Sequence, residues 1–224
     1  MKEIRWTRLA SMVVGVGAAC IASALIGIDR ARTQMTYATV EALAKTIDAR
    51  DRYTAGHSER VAAYTLVLAR ALKVPQEQHE TIRRAGMLHD IGKVALPDDV
   101  LLKAGPLEPH ERALIESHAT IGFEMLRDLS FLRDVLPAIR GHHERWDGGG
   151  YPDRLGGAGI HLHARLMAVA DSFDAMTSAR PYRTALPLDE AARRLRAGAG
   201  RQFDAAVVSA FDRAEAELRA MATA

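Results

Sequence analysis

The 224-residue chain sets 30 lysines and arginines against 28 aspartates and glutamates, and the net charge of +2 gives no global argument for binding a nucleic-acid polymer. Hydrophobic residues make up 48% and aromatics 5%, which with abundant Ala, Leu and Arg fits an all-helical globule better than a sheet protein; the length suits one sizeable domain plus an appendage. The single cysteine, Cys20, excludes a disulfide framework and a thiolate zinc site, so any metal must be held by nitrogen and oxygen.

No charged residue interrupts the stretch from Leu9 to Ile28, which lies between Lys2, Arg5 and Arg8 and Asp29, Arg30 and Arg32. An apolar run of about 20 residues spans a bilayer core as a helix, so residues 1–32 are expected to form a membrane anchor. The basic start, apolar middle and small residues Ala22-Ser23-Ala24 also fit a cleaved signal peptide. Basic residues on both flanks leave the orientation open. Residues 33–50 read as a connecting helix with Val40, Leu43 and Ile47 on one side, and Asp51 to Gly56 breaks it. Ser58 fits the N-cap of the next helix, whose buried stripe is Val61, Tyr64, Leu68 and Leu72. Pro75 opens a further helix, expected to run through Arg84 into His89 and Asp90.

The segment Leu96 to Leu107, with Pro97, Gly105 and Pro106, is a loop by its punctuation. Helical spacing resumes near Glu108 with the stripe Leu114, His118, Ile121 and Met125, which puts a histidine at a core position. A short helix from Leu132 to Arg140 presents His142 and His143 above Gly148-Gly149-Gly150, since three glycines cannot continue a helix cheaply. The next helix, His161 to Ser178, is apolar nearly all round and carries Asp171, as a central helix with a buried carboxylate would. Two more helices close the chain, the last with Val207, Phe211, Ala214, Leu218 and Met221 in step. No run reads as a strand. His79, His110, His161 and His163 fall in polar or edge positions and are expected at the surface.

The pair His89-Asp90, with Lys93 one turn on, fits a buried hydrogen-bonded pair as well as it fits a metal site. More weight comes from the set His57, His89, Asp90, His118, His142, His143 and Asp171, drawn from separate segments as a multi-ligand site in a helical bundle requires. Each has a plainer reading alone: His57 could start a helix, His142 and His143 could cap one, and Asp171 could pair with an arginine. Together they point to a metal centre. Two ions ~3.5 to 4 Å apart can hold a hydroxide and clamp phosphate oxygens, which suggests phosphate-ester hydrolysis, with Lys93 adding charge to the transition state.

His89-Asp90-Ile91-Gly92-Lys93, combined with His142-His143-Glu144-Arg145-Trp146-Asp147-Gly148-Gly149-Gly150-Tyr151-Pro152, resembles the HD-GYP family of bacterial cyclic di-GMP phosphodiesterases, within the HD metal-dependent phosphohydrolases. Tyr53 to Ser58, Gly105-Pro106-Leu107, Ala170 to Ser178 and Arg180-Pro181-Tyr182-Arg183 follow in the family's order. The resemblance implies an all-α bundle of the HD-domain type over residues 38–218, with two divalent ions, iron or manganese, held by His57, His89, Asp90, His118, His142, His143 and Asp171. Asp90 would bridge the ions, and a bridging hydroxide would open cyclic di-GMP to pGpG. Lys93, Arg180 and Arg183 would approach the phosphates, and Gly150, Tyr151 and Pro152 would shape the pocket around a guanine or a neighbouring subunit.

One departure matters: where some members place a glutamate for a third metal, this chain has Tyr53, a poor ligand near neutral pH with a phenol pKa of ~10. Two ions are therefore expected, which puts in doubt a further step to GMP. The competing expectations are a receptor or interaction module without turnover, and a phosphohydrolase of another cyclic dinucleotide. Because cyclic di-GMP is cytoplasmic, the resemblance also implies a single-pass protein of the bacterial inner membrane, anchored through residues 9–28 with its catalytic domain inside. The ~30 residues before the domain leave no room for a receiver or PAS-type domain, so input is expected through the anchor or through a homodimer or signalling-protein partner.

Overall fold

The helical periodicities appear as helices in a computed structural model, which describes residues 27, 31, 33–50, 56–179 and 184–223. Among the described residues there is no strand, only isolated bridges pairing Asp147 with Gly156 and Ala199 with Phe203. The chain divides into two compact units, Met1–Ala42 and Leu43–Ala224. In the first, described residues 33–42 are helical. The apolar stretch from Leu9 to Ile28 lies outside the described residues except for Gly27, and no helix among those described is long and apolar enough to cross a membrane.

The second unit begins with helical residues 43–50 (α1). It continues through α2 (His57–Ala71), α3 (His79–Leu88), α4 (Asp98–Leu101), α5 (Pro109–Glu116), α6 (His118–Leu126), α7 (Leu136–Gly141), α8 (Leu162–Thr177), α9 (Leu188–Ala197) and α10 (Ala205–Ala222). Helix α8 is the central one, as its apolar circumference suggests: Leu166, Met167, Val169, Ala170 and Phe173 are all buried. Phe173 meets Tyr64 of α2 edge-on at 5.4 Å and Phe211 of α10 at 5.3 Å, joining three helices through one aromatic chain. Ile82, Leu195, Val207 and Leu218 complete the same core. The expected stripe of α10 is seen, with Val207, Phe211, Ala214 and Leu218 buried.

Several local expectations are corrected. Helix α2 begins at His57 after Gly56, and Ser58 is a buried residue bonded to Asp48 instead of an N-cap. Helix α3 stops at Leu88, so His89 and Asp90 lie beyond its end and a 3-10 turn, Ile91–Ala95, carries Lys93. The loop from Leu96 to Leu107 contains the single turn α4. The helix expected from Glu108 is broken between Glu116 and His118, which rotates its stripe: His118 is buried, whereas Leu114 and Met125 are exposed. Leu43 is exposed as well, although Ile47 is buried.

The break before α6 lets the Ile91–Ala95 turn lie directly on that helix. A Cβ on Gly92 would stand 2.0 Å from the His118 carbonyl oxygen and 2.6 Å from the Gly122 nitrogen, so only glycine allows the two backbones to approach this closely. That approach sets Asp90 beside His118. Replacing Gly92 with alanine forces backbone apart and is expected to cost about 3 kcal/mol. Gly159→Ala, where an added Cβ meets nothing within 4 Å, should cost less than ~0.5 kcal/mol; urea midpoints of the two variants check the contrast.

Candidate metal centre

Three of the expected histidines stand where helices end. His89 follows α3, His118 follows α5 by one residue, and His142 follows α7. Each donates its Nδ1–H to a carbonyl three residues back: His89 to Gly86 (2.7 Å), His118 to Ile115 (2.6 Å) and His142 to Ile139 (2.6 Å). A carbonyl can only accept, so Nδ1 carries a proton and Nε2 of each ring points into the site. His57, which opens α2, presents Nδ1 to the Asp174 carboxylate at 2.8 Å and likewise turns Nε2 inward.

Asp90 lies between these rings at 5% exposure. Its Oδ1 is 3.3 Å from His118 Nε2, and its Oδ2 is 3.4 Å from His89 Nε2 and 3.8 Å from His57 Nε2. Two groups of ligand atoms result, each within 4.8 Å internally: Asp90 with His118, His142 and His143, and Asp90 with His57 and His89. Asp171 Oδ1 stands 3.3 Å from His57 Nε2, next to the second group. Lys93 pairs with Asp90 Oδ2 at 2.7 Å. The structure therefore brings the seven expected ligands and Lys93 together.

Burial works against the charge on Asp90, but Lys93 and the surrounding histidines outweigh it and hold the carboxyl well below its ordinary range. Burial likewise opposes charge on Asp171, and the hydrogen bond from His57 overcomes it. For His57 burial disfavours the proton, yet the bonds to Asp171 and Asp174 push it up to about 10. Burial pushes His142 well below the ordinary histidine value and takes His143 down to about 4.

This arrangement suits a cation. His118 Nε2 and His142 Nε2 face each other at 3.2 Å with both Nδ1 protons already committed to carbonyls, so two lone pairs meet with no proton between them. His89 Nε2 is buried with no hydrogen-bond partner among the described residues. A divalent ion between such atoms would satisfy them, and the nitrogen and carboxylate donors fit an iron- or manganese-type ion. The residues that could hold one ion are Asp90, His118, His142 and His143; those for a second are His57, His89 and Asp90, with Asp171 beside them.

Some residues that shape the site were not singled out in the sequence. Asp174 accepts from His57 and also from Arg60, whose Nε and Nη2 lie 2.6 and 3.0 Å from its two oxygens. It fixes the ring of a ligand through its other nitrogen, the role that outer carboxylates play around metal-bound histidines. Its spacing of three from Asp171 on α8 puts both carboxylates on one helix face, and that was the available hint. Glu144 is buried and accepts from the backbone of Asp153 (2.7 Å) and Leu155 (3.0 Å), which closes the glycine-rich loop. His163, expected at the surface, is buried and bonds Gln78 at 2.9 Å.

Within that loop a Cβ on Gly150 would stand 2.5 Å from both the His143 oxygen and the Arg145 nitrogen, so glycine lets the chain double back against His143. Tyr151 then stacks on the His143 ring at 4.8 Å, and the Tyr151–Pro152 peptide is cis. Tyr151 lines a cleft of about 430 Å³ with His57, Asp90, Lys93, Lys103, Leu107, His118, His143 and Asp171. That volume is of the order that small-molecule sites use. Tyr53, Arg180 and Arg183 lie outside the described residues.

A family model described as an HD domain matches residues 41–207. The chain is 44% identical to the cyclic di-GMP phosphodiesterase response regulator RpfG of Xanthomonas campestris, over 80% of this chain and 48% of that protein. It is 42% identical to the 3'3'-cGAMP-specific phosphodiesterase 3 of Vibrio cholerae, over 68% of this chain and 33% of that one. The chain thus spans about half or less of the length of these curated relatives. The crystal structure of the V. cholerae cyclic GMP-AMP phosphodiesterase V-cGAP3 superposes with a TM-score of 0.63 at 20% identity, over 82% of this chain and 49% of that one, a likeness of fold. The chain belongs to the HD-domain family, and within it to the HD-GYP group.

Proposed function

We propose that this protein is a metal-dependent phosphodiesterase that opens cyclic di-GMP to linear pGpG at a two-ion centre. The observation that carries the reading is the carboxylate of Asp90, whose two oxygens face two separate groups of imidazole nitrogens. When bound, two divalent ions supply an activated water and neutralise phosphate oxygens. His118, His142 and His143 would hold one of them, His57 and His89 the other with Asp171 beside them, and Asp90 is shared by both groups. Lys93, on the cleft wall, meets charge that builds on the attacked phosphate. Water loses a proton as its oxygen adds to phosphorus, the P–O bond to one ribose breaks, and the ribose oxygen takes up a proton as the ring opens. Tyr151, fixed against His143, offers a flat face to a base, and Arg180 and Arg183 are assigned to the substrate phosphates on the resemblance of the Arg180-Pro181-Tyr182-Arg183 stretch to the family. The names of the relatives support cyclic dinucleotides as the substrate class, and two of them differ on which one.

The chain is also proposed to be anchored in the bacterial inner membrane through residues 9–28, with the domain on the cytoplasmic side where its substrate is made. The uncharged apolar run between basic flanks supports this.

Asp90→Asn keeps the shape and removes the charge that both groups share. It should lower both the bound iron or manganese and kcat/KM by on the order of 100-fold or more; normal hydrolysis with normal metal content would refute the two-ion reading. In parallel turnover assays on protein purified without oxygen, cyclic di-GMP should be hydrolysed at least ~10-fold faster than 3'3'-cGAMP or cyclic di-AMP, with product stopping at the linear dinucleotide. Faster turnover of another ring would reassign the substrate, and binding without turnover would make the protein a receptor. A reporter fused after Ala224 should be active in the cytoplasm, and periplasmic activity would rule out the proposed topology.

A further inference from the structure

The end of α1 holds both segments that supply the His57, His89 and Asp90 group, although it contributes no ligand itself. Asp48, at 5% exposure, accepts from the backbone N–H of Ser58 through Oδ2 and from its hydroxyl through Oδ1, both at 3.0 Å. Ser58 is the residue after His57. Two residues along, Arg50 grips the turn that follows Asp90. Its Nη2 donates to the Leu96 carbonyl at 2.7 Å, Nη1 to those of Val94 (3.2 Å) and Lys93 (3.4 Å), and Nε to Asp98 Oδ1 at 2.9 Å.

The turn needs such a partner. The last carbonyls of a 3-10 segment have no partner within it, and this segment carries Lys93 and begins directly after Asp90. A guanidinium offers five N–H donors in a rigid fork, so one side chain can satisfy several of these carbonyls and fix their spacing; an ammonium is a point charge and cannot. His118 and His142 are tied to carbonyls of α5 and α7 as His89 is to one of α3, and the Asp48 and Arg50 bonds add a second hold on the segments that carry His57, His89 and Asp90.

We propose that Arg50 and Asp48 are positioning residues for one of the two ion sites: together they set the distance between His57 and the His89-Asp90 corner. The proposal rests on reading that cluster as a metal site. Loss of the Arg50 fork should loosen the ion held by His57, His89 and Asp90 and leave the ion held with His118, His142 and His143 in place.

The test uses the full chain. Wild type, Arg50→Ala and Arg50→Lys are titrated with manganese from the metal-free state, with kcat, KM and thermal midpoints measured alongside. Arg196→Ala serves as the control, since it removes ion pairs to Asp212 and Glu215 on the far helices α9 and α10. Arg50→Ala is expected to weaken one of two manganese equivalents by on the order of 10- to 100-fold in Kd and to leave the other within about threefold. Its kcat should fall at limiting manganese, recover at excess, and show KM changes under about threefold. Arg50→Lys keeps the charge and should behave like the alanine variant, because the fork and not the charge is what positions the turn. Unchanged binding of both equivalents, equal weakening of both, or a selective loss equally produced by Arg196→Ala would overturn the proposal. A wild-type chain that binds no divalent ion would instead remove the metal reading beneath it.

Discussion

A carboxylate buried among five imidazoles is the constraint on which the rest of this structure depends. Removing an anion from water is costly, and Asp90 is 5% exposed, so its neighbours must return what solvent would have given. Lys93 provides one charge at 2.7 Å, and the histidine nitrogens surround both oxygens. The chain geometry around it follows from that need. Had α3 continued past Leu88, His89, Asp90 and Lys93 would have projected at helical angles; the turn at Ile91–Ala95 lets the lysine fold back onto the carboxylate and Gly92 press against α6. His89, His118 and His142 sit at helix ends, where backbone groups are available as partners, while Asp171 comes from within α8.

Most of the architecture was legible because burial imposes a period. Helix α8, apolar all round, read as central and is central; the step of α10 read correctly through Leu218. The cluster of histidines and aspartates was legible for a different reason: these residue types recur in separate segments, with no cysteine, and leave few chemistries in common. What escaped the sequence lies where period fails. A break of one residue at Ser117 splits α5 from α6 and turns Leu114 and Met125 outward, although His118 is buried as its core position suggested. Periodicity cannot separate a continuous helix from two helices with a kink between them, because the apolar residues on either side keep the same spacing.

Residues that act through others were the hardest to see. Asp174, Glu144, Asp48 and Arg50 carry no rare chemistry and are, taken singly, ordinary charged residues of a helical protein. Their function is visible only once the partner is known: Asp174 through His57, Glu144 through the loop it closes, Asp48 through Ser58, Arg50 through three carbonyls. A ligand must have a particular donor atom, which restricts it to a few residue types. A residue that orients a ligand need only have a hydrogen bond of the right sense, and many polar residue types can offer that.

The placement of His89, His118 and His142 ties the fold to its chemistry. Each follows the C-terminal end of a helix, where the last carbonyls have no intrahelical donor and the dipole is at its negative end. Taking the Nδ1–H of the next histidine satisfies such a carbonyl and at the same time fixes the tautomer, so the lone pair that remains is the one aimed inward. Three helix ends converging in this way gather negative potential and three oriented donors around Asp90 before any ion arrives. An all-helical bundle thus builds a cation site from features that every helix has to resolve anyway, and the sequence needs to specify only a histidine at each end and a glycine where the turn must pass.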